Sequence, residues 1–135
     1  MRLLLLLFPF LVYAYCFETA GMYYGVSPSL LYAIAKVESG LNANAINKNK
    51  DGSIDVGLMQ INSRWFSYLR KHGVDPRWLF DPCYNVKVGA MVLRHCIDRY
   101  GLTWQAVDCY NKGSKAQPSS KYVWKVYKVL SSQQD

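Results

Sequence analysis

The sequence predicts a mainly helical, single-domain protein with a small irregular or β-hairpin lobe. Its 135 residues are enough for one hydrophobic core and too few for a second domain. Apolar residues recur at spacings of three and four in several segments that begin at Ser, Asp or Thr and end at Gly, as in capped helices. Residues 41–55 break this pattern with four asparagines and a glycine, and they predict the lobe, beside which a cleft could open.

The amino terminus resembles an export signal. The apolar run Leu3–Val12 follows Arg2 and is shorter than the roughly 20 residues that a membrane-spanning helix needs. We therefore expect residues 1–14 to be removed as a signal peptide, which leaves residues 15–135 as the mature domain without a stable membrane span. An uncleaved anchor and lipid attachment at Cys16 are the alternatives.

Two helices are predicted directly after the leader. The first covers Phe17–Tyr24 and ends at Gly25. The second has Ser27 as its cap and Pro28 at its first position, and it extends to Glu38.

Glu38 and Asp55 are two carboxylates that are predicted to lie in different surroundings. Glu38 shares its helical stripe with Leu31 and Ile34, and it lies in the last turn, near the negative end of the helix dipole. Burial and the dipole both disfavour the ionised form, so its pKa should be raised, as a general acid requires. Asp55 lies in a polar, glycine-marked segment where a carboxylate stays charged and can face a developing cation. The pair suggests acid-catalysed cleavage of a glycosidic bond.

Four further helices are predicted beyond the lobe, each with a recognisable start or stop. Gly73 ends the first, Asp81 caps the second, Thr103 caps the third, and Pro118 precedes the last. Their predicted ranges, in order, are residues 57–71, 82–100, 104–110 and 121–130.

The cysteine count indicates two disulfides. Four cysteines remain after the leader, and an even number in a small exported protein is typical of a disulfide framework. Three pairings are possible. We favour Cys96 with Cys109, across two consecutive helices, and Cys16 with Cys83. Without a CxxC spacing, and with only two histidines, no metal site is expected.

The chain is basic, with a formal net charge of +7, and 15 basic against 9 acidic residues remain without the leader. This balance suits a polyanionic partner such as a bacterial wall, a membrane face or a nucleic acid. We found no nucleic-acid-binding motif, so no nucleic acid is expected as a partner. Lysines concentrate near the carboxyl end, and we interpret them as the solvated face of the last helix.

Residues 51–65, from Asp51 to Trp65, closely resemble the corresponding segment of C-type lysozymes. That resemblance implies an α+β lysozyme-like fold. It also maps the proton donor onto Glu38 and the second carboxylate onto Asp55.

Three ordered motifs are similar to those of the bacterial family 1 lytic transglycosylases, the SLT type: Glu38–Gly40, Gly57–Ile61 and Tyr110–Gly113. The short length, the leader and the Asp81–Cys83 element resemble the small transglycosylases associated with type III and type IV secretion systems and pili. This resemblance implies cleavage of peptidoglycan glycan strands to 1,6-anhydro products, without a cofactor. It also implies a monomer, exported to the periplasm or wall, with a secretion-system or pilus component as a possible partner.

Five residues from these motifs are predicted to bind the substrate: Ser39, Met59, Gln60, Tyr110 and Asn111. Gln60 offers both donor and acceptor atoms to a sugar, while Tyr110 offers a ring and a hydroxyl that could also orient Glu38. Met59 fits a core position equally well.

Three other functions compete with this prediction. A hydrolytic lysozyme would use water to resolve the intermediate. A wall-binding component of a secretion apparatus would keep the fold without chemistry, and a basic membrane-active protein would use only the charge.

Overall fold

A computed structural model of the chain describes residues 14–133, which form six α-helices and a small sheet. The predicted signal peptide lies outside this range, apart from Ala14. The described part of the first helix, α1, covers residues 14–24. The other helices are α2 (Pro28–Ser39), α3 (Phe66–Lys71), α4 (Pro82–Tyr100), α5 (Trp104–Lys112) and α6 (Lys121–Ser132). The strands are β1 (Ile46–Lys48), β2 (Ile54–Val56) and β3 (Ile61–Asn62).

Side-chain caps define the starts of the long helices where the sequence predicted them. Ser27 Oγ accepts from the Leu30 amide at 3.2 Å, and Asp81 Oδ1 accepts from the Tyr84 amide at 2.8 Å. Thr103 and Ser120 cap α5 and α6 in the same way. The predicted mainly helical class is therefore confirmed, with α5 and α6 each extending two residues further than expected.

The lobe is a three-stranded antiparallel sheet in the order β1-β2-β3. Asp55 pairs with Asn47 on one side and with Asn62 on the other. The prediction of a helix from residue 57 is wrong over its first part. Gly57 and Gln60 adopt positive φ values of 80° and 54°, which no helix accommodates, so the chain turns there and enters β3.

Asn85 of α4 fixes this turn to the helical core. It is fully buried, and its Oδ1 accepts from the Met59 amide at 2.8 Å. Its Nδ2 donates to the carbonyls of Val56 at 2.9 Å and Leu79 at 2.8 Å. Every polar atom of this amide is thus satisfied, as burial requires.

Both favoured disulfides are confirmed. Cys16–Cys83 ties α1 to the start of α4, and Cys96–Cys109 joins α4 to α5. The sulfur of Cys16 is therefore engaged, which contradicts lipid attachment there.

None of the helices within residues 14–133 combines the length and the apolar composition needed to span a membrane. The same residues contain no cluster of three His, Cys, Asp or Glu side chains that could hold a metal ion.

Candidate active site

Glu38 lies in the last turn of α2, immediately before the Gly40 cap. Part of its surface is open to solvent, yet the surrounding protein excludes enough water to raise its pKa to about 7. A hydrogen bond from Tyr122 acts in the opposite direction, and the negative charge of Asp55 raises the pKa further. The raised pKa of Glu38 agrees with the sequence prediction. Near neutral pH this carboxyl can therefore both give and take a proton.

Asp55 occupies the middle of β2, where asparagines hold both of its carboxylate oxygens. Asn49 Nδ2 donates to Oδ2 at 3.1 Å, and Asn62 Nδ2 donates to Oδ1 at 2.8 Å. Ser53 Oγ accepts from both of these amides and so links the two donors. The carboxylate is thereby oriented by neutral donors, which leave its negative charge uncompensated within the site.

Two buried tyrosines lie beside Glu38. Tyr110 of α5 donates its hydroxyl hydrogen to the Met59 carbonyl at 2.8 Å. The pKa of Tyr110 is raised well above its ordinary value by burial, and then by the charges of Glu38 and Asp55. The charges of both carboxylates therefore act on Tyr110, but its hydroxyl binds the backbone. This differs from the predicted contact between Tyr110 and Glu38.

Tyr122 of α6 is the residue that the sequence analysis missed. Its hydroxyl is buried and has no partner of standard hydrogen-bond geometry among the described residues. It nevertheless lies close enough to the Glu38 carboxyl to lower the pKa of that group, although the contact falls outside standard hydrogen-bond geometry. The sequence signal was a phenol on the apolar side of α6, because a buried phenol hydroxyl needs a partner.

Three residues predicted to contact sugar instead hold the site together. Ser39 Oγ donates to the Leu58 carbonyl and accepts from the Asn42 amide at 3.0 Å. Met59 is fully buried, with its sulfur against Gly89 of α4. Gln60 is also buried; it accepts from Asn47 Nδ2 at 2.6 Å and donates to the carbonyls of Ala45 and Gly57.

The prediction that Met59 and Gln60 contact the sugar therefore needs correction. The structure brings neither side chain to an open surface, because both are consumed by packing and internal hydrogen bonds. Ser39 is partly exposed, but its hydroxyl is already bonded.

Asn111 does reach an open cavity next to Asp55. The cavity has a volume of about 270 Å³ and is lined by Asn62, Trp65, Tyr110, Asn111 and basic side chains of residues 64, 112 and 115. Asn62 connects it directly to the Asp55 carboxylate. A larger cavity of about 540 Å³ lies beside the Cys16–Cys83 disulfide, but neither Glu38 nor Asp55 contributes to it.

Comparison with known proteins identifies matches along nearly the whole described chain. The family model described as "Transglycosylase SLT domain" matches residues 15–125. "Invasion protein IagB" of Salmonella typhi is 40% identical over 125 residues, covering 87% of this chain and 78% of that protein. "Protein IpgF" of Shigella flexneri is 39% identical over 130 residues, covering 93% and 86%.

A solved structure shares the fold. It is an inactive glutamate-to-glutamine mutant of lytic transglycosylase Slt from Pseudomonas aeruginosa, matched with a TM-score of 0.66 at 22% identity. The match covers 85% of this chain but spans only 22% of that much longer one. The predicted lysozyme-like fold, a helical domain with a small β lobe, is confirmed by this likeness.

Proposed function

The chain belongs to the transglycosylase SLT domain family, and from this premise we propose that it is a peptidoglycan lytic transglycosylase with Glu38 as its catalytic acid and base. The bond cleaved is the β-1,4 linkage between N-acetylmuramic acid and N-acetylglucosamine, and the product carries a 1,6-anhydro ring. The family match supports the reaction class, while the assignment of residues is supported by the geometry around Glu38.

The single observation that carries the proposal is the placement of Glu38 in the last turn of α2, beside the Tyr122 hydroxyl and near Asp55, where burial raises its pKa to about 7. At neutral pH a substantial fraction of such a carboxyl is protonated, whereas an ordinary glutamate is almost fully ionised. Protonation equips Glu38 to donate to a leaving oxygen, and the resulting carboxylate is basic enough to recover a proton in the next step.

The reaction proceeds in two steps. Glu38 first gives its proton to the glycosidic oxygen as the bond to the anomeric carbon breaks. The ionised Glu38 then takes the proton of the muramyl 6-hydroxyl, whose oxygen bonds to the anomeric carbon. No water is consumed, and Glu38 ends protonated as it began.

Asp55 and Tyr122 stabilise the charges that appear during this cycle. The negative charge of Asp55 faces the positive charge that develops at the anomeric centre, an electrostatic role that needs no covalent bond. Among residues 14–133 the Tyr122 hydroxyl has no partner of standard hydrogen-bond geometry, so it is available to the Glu38 carboxylate once that group has lost its proton.

Digestion of purified peptidoglycan followed by mass spectrometry tests the proposal. The wild-type protein should release anhydro-muropeptides, and Glu38→Gln should release none. Glu18→Gln, which removes an exposed carboxylate of α1, is the matched control and should retain full activity. Wall binding without any soluble product would contradict catalysis and favour a purely binding role.

One observation favours a second candidate, a hydrolytic muramidase. Asp55 lies on the sheet with both oxygens oriented, as the resemblance to C-type lysozymes implies for the second carboxylate, which stabilises the intermediate that water then resolves. Products heavier by one water than the anhydro species, and ending in a reducing sugar, would identify this reaction.

We also propose that the protein is exported, with residues 1–14 removed, and that it acts as a monomer on the wall near a secretion system or pilus. Two disulfides support an oxidising compartment. The name of one relative, "Invasion protein IagB", supports a link to invasion. Fractionation with amino-terminal mass analysis tests export, since an intact leader on cytoplasmic protein would contradict it.

A further inference from the structure

Helix α6 has two chemically different sides. Tyr122 and Val126 point inward, where Tyr122 meets Glu38. Trp124 and Tyr127 lie on the opposite side, with 57% and 45% of their surfaces exposed. Aromatic side chains of this size are costly to leave in water, so a pair on one helix face indicates a contact surface.

A neighbouring segment enlarges this apolar surface. Trp104, at the start of α5, has its ring centroid 5.9 Å from that of Tyr127, and the Trp124 ring centroid lies 5.7 Å from that of Tyr127. Leu102, which precedes α5, is 83% exposed. The three rings border a shallow cavity of about 280 Å³.

Lysines surround the aromatic rings. Lys121, Lys125 and Lys128 are all exposed on α6. The ion pairs formed among residues 14–133 involve none of them, so their charges are available to an external anion. We call the surface formed by Trp104, Trp124, Tyr127 and these three lysines the α6 outer face.

The geometry of the rings distinguishes between possible partners. Trp104 and Trp124 meet Tyr127 edge to face, with interplanar angles of 80° and 90°. The three rings therefore form no flat platform on which a chain of sugar rings could stack. Tryptophan and tyrosine beside lysine on one exposed helix face are instead typical of proteins that lie on a bilayer, with rings at the headgroup level and ammonium groups against anionic lipid.

We infer that the α6 outer face binds the surface of a bilayer that contains anionic phospholipid. The lysines supply attraction to the negative surface, and the aromatic rings supply insertion at the interface. Because the opposite side of α6 supports Glu38, bilayer binding would also set the orientation of the candidate active site relative to the membrane. The inference does not depend on the proposed reaction, since it concerns residues outside the site.

Vesicle co-sedimentation of the purified, disulfide-bonded protein tests this inference. Wild type should bind vesicles of phosphatidylcholine with phosphatidylglycerol, bind phosphatidylcholine alone much more weakly, and lose binding as salt increases. The triple variant K121Q/K125Q/K128Q should bind on the order of a hundredfold more weakly, at about fivefold per lysine. W124A/Y127A should lose on the order of tenfold or more.

Matched controls separate the face from general charge and hydrophobicity. Trp78→Ala removes a tryptophan that is 61% exposed elsewhere, and Lys50→Gln removes an exposed lysine of the lobe; both should bind vesicles as wild type does. Any contribution of residues 1–14 is common to all variants prepared in the same way. Melting temperature, and activity on soluble glycan fragments, should be unchanged in every variant.

Two results would overturn the inference. The first is that the α6 variants bind vesicles as strongly as wild type does, or that the control variants lose as much vesicle binding as the α6 variants do. The second is unchanged vesicle binding accompanied by lost binding to insoluble peptidoglycan, which would assign the face to the wall polymer instead.

Discussion

Replacing Glu38 with Gln is expected to abolish activity and, above neutral pH, to stabilise the folded protein. Folding raises the pKa of Glu38 from 4.5 to about 7. The folded state therefore binds its proton more tightly than the unfolded state does. As pH rises from 4.5 to 7, the unfolded chain ionises first, and stability decreases.

The size of this effect follows from the same two values. Each pH unit of difference corresponds to 1.36 kcal/mol, so ionised Glu38 costs the fold up to about 3 kcal/mol above pH 7. Below about pH 4.5 the group is protonated in both states, and the cost disappears. Glutamine is neutral throughout, so Glu38→Gln avoids the cost at every pH.

Denaturant unfolding of wild type and Glu38→Gln across this pH range measures the difference. Other titrating groups are common to both proteins and cancel. The stability advantage of the variant should grow between about pH 4.5 and 7 and then remain constant. An advantage that does not change with pH would refute the raised pKa, and with it the basis for the acid-base role. Glu18→Gln is the control for loss of an exposed carboxylate.

Three further predictions concern the surroundings of Glu38. Tyr122→Phe removes a hydrogen bond that lowers the Glu38 pKa, so the basic limb of the kcat/KM profile should move upward, by at most about one pH unit; an unmoved limb would contradict the contact. Asp55→Asn should reduce kcat on peptidoglycan, but less than Glu38→Gln, and equal losses would contradict a purely electrostatic role. Gly57→Ala should destabilise the fold by at least about 3 kcal/mol in denaturant unfolding, because its φ is 80° and an added Cβ would overlap Asn85 Nδ2. Near-wild-type stability would show that the turn can relax.

Much of the helical architecture could be predicted because helix ends are local features. The caps at Ser27, Asp81, Thr103 and Ser120 use side chains within three residues of the amides that they bind. Residues 57–61 were misassigned because their run of apolar side chains fits a helix as well as a buried turn. Hydrogen bonds from a residue far along the chain decided between the two, and no local pattern contains that information.

The candidate site shows the same division between local and distant interactions. Glu38 could be proposed as the acid from sequence because its apolar stripe and helix-end position are visible within one segment. Tyr122 could not be identified, because it is far along the chain on another helix and its partner is set by how α6 packs against α2. A sequence pattern marks the tyrosine as buried without showing which group its hydroxyl faces.

The turn at residues 57–60 explains why a motif can be specific for a site and yet offer no side chain to the substrate. Within this turn, the Leu58 carbonyl accepts from Ser39 of α2, and the Met59 carbonyl accepts from Tyr110 of α5. The Met59 amide of the turn donates to Asn85 of α4. Three helices are thus bonded to one short piece of backbone, which is followed by the strand that pairs with Asp55. Because Ser39 adjoins Glu38 in sequence, the turn sets the position of Glu38 relative to Asp55. The need to hold this turn in place is sufficient to constrain Gly57 and the buried side chains around the turn.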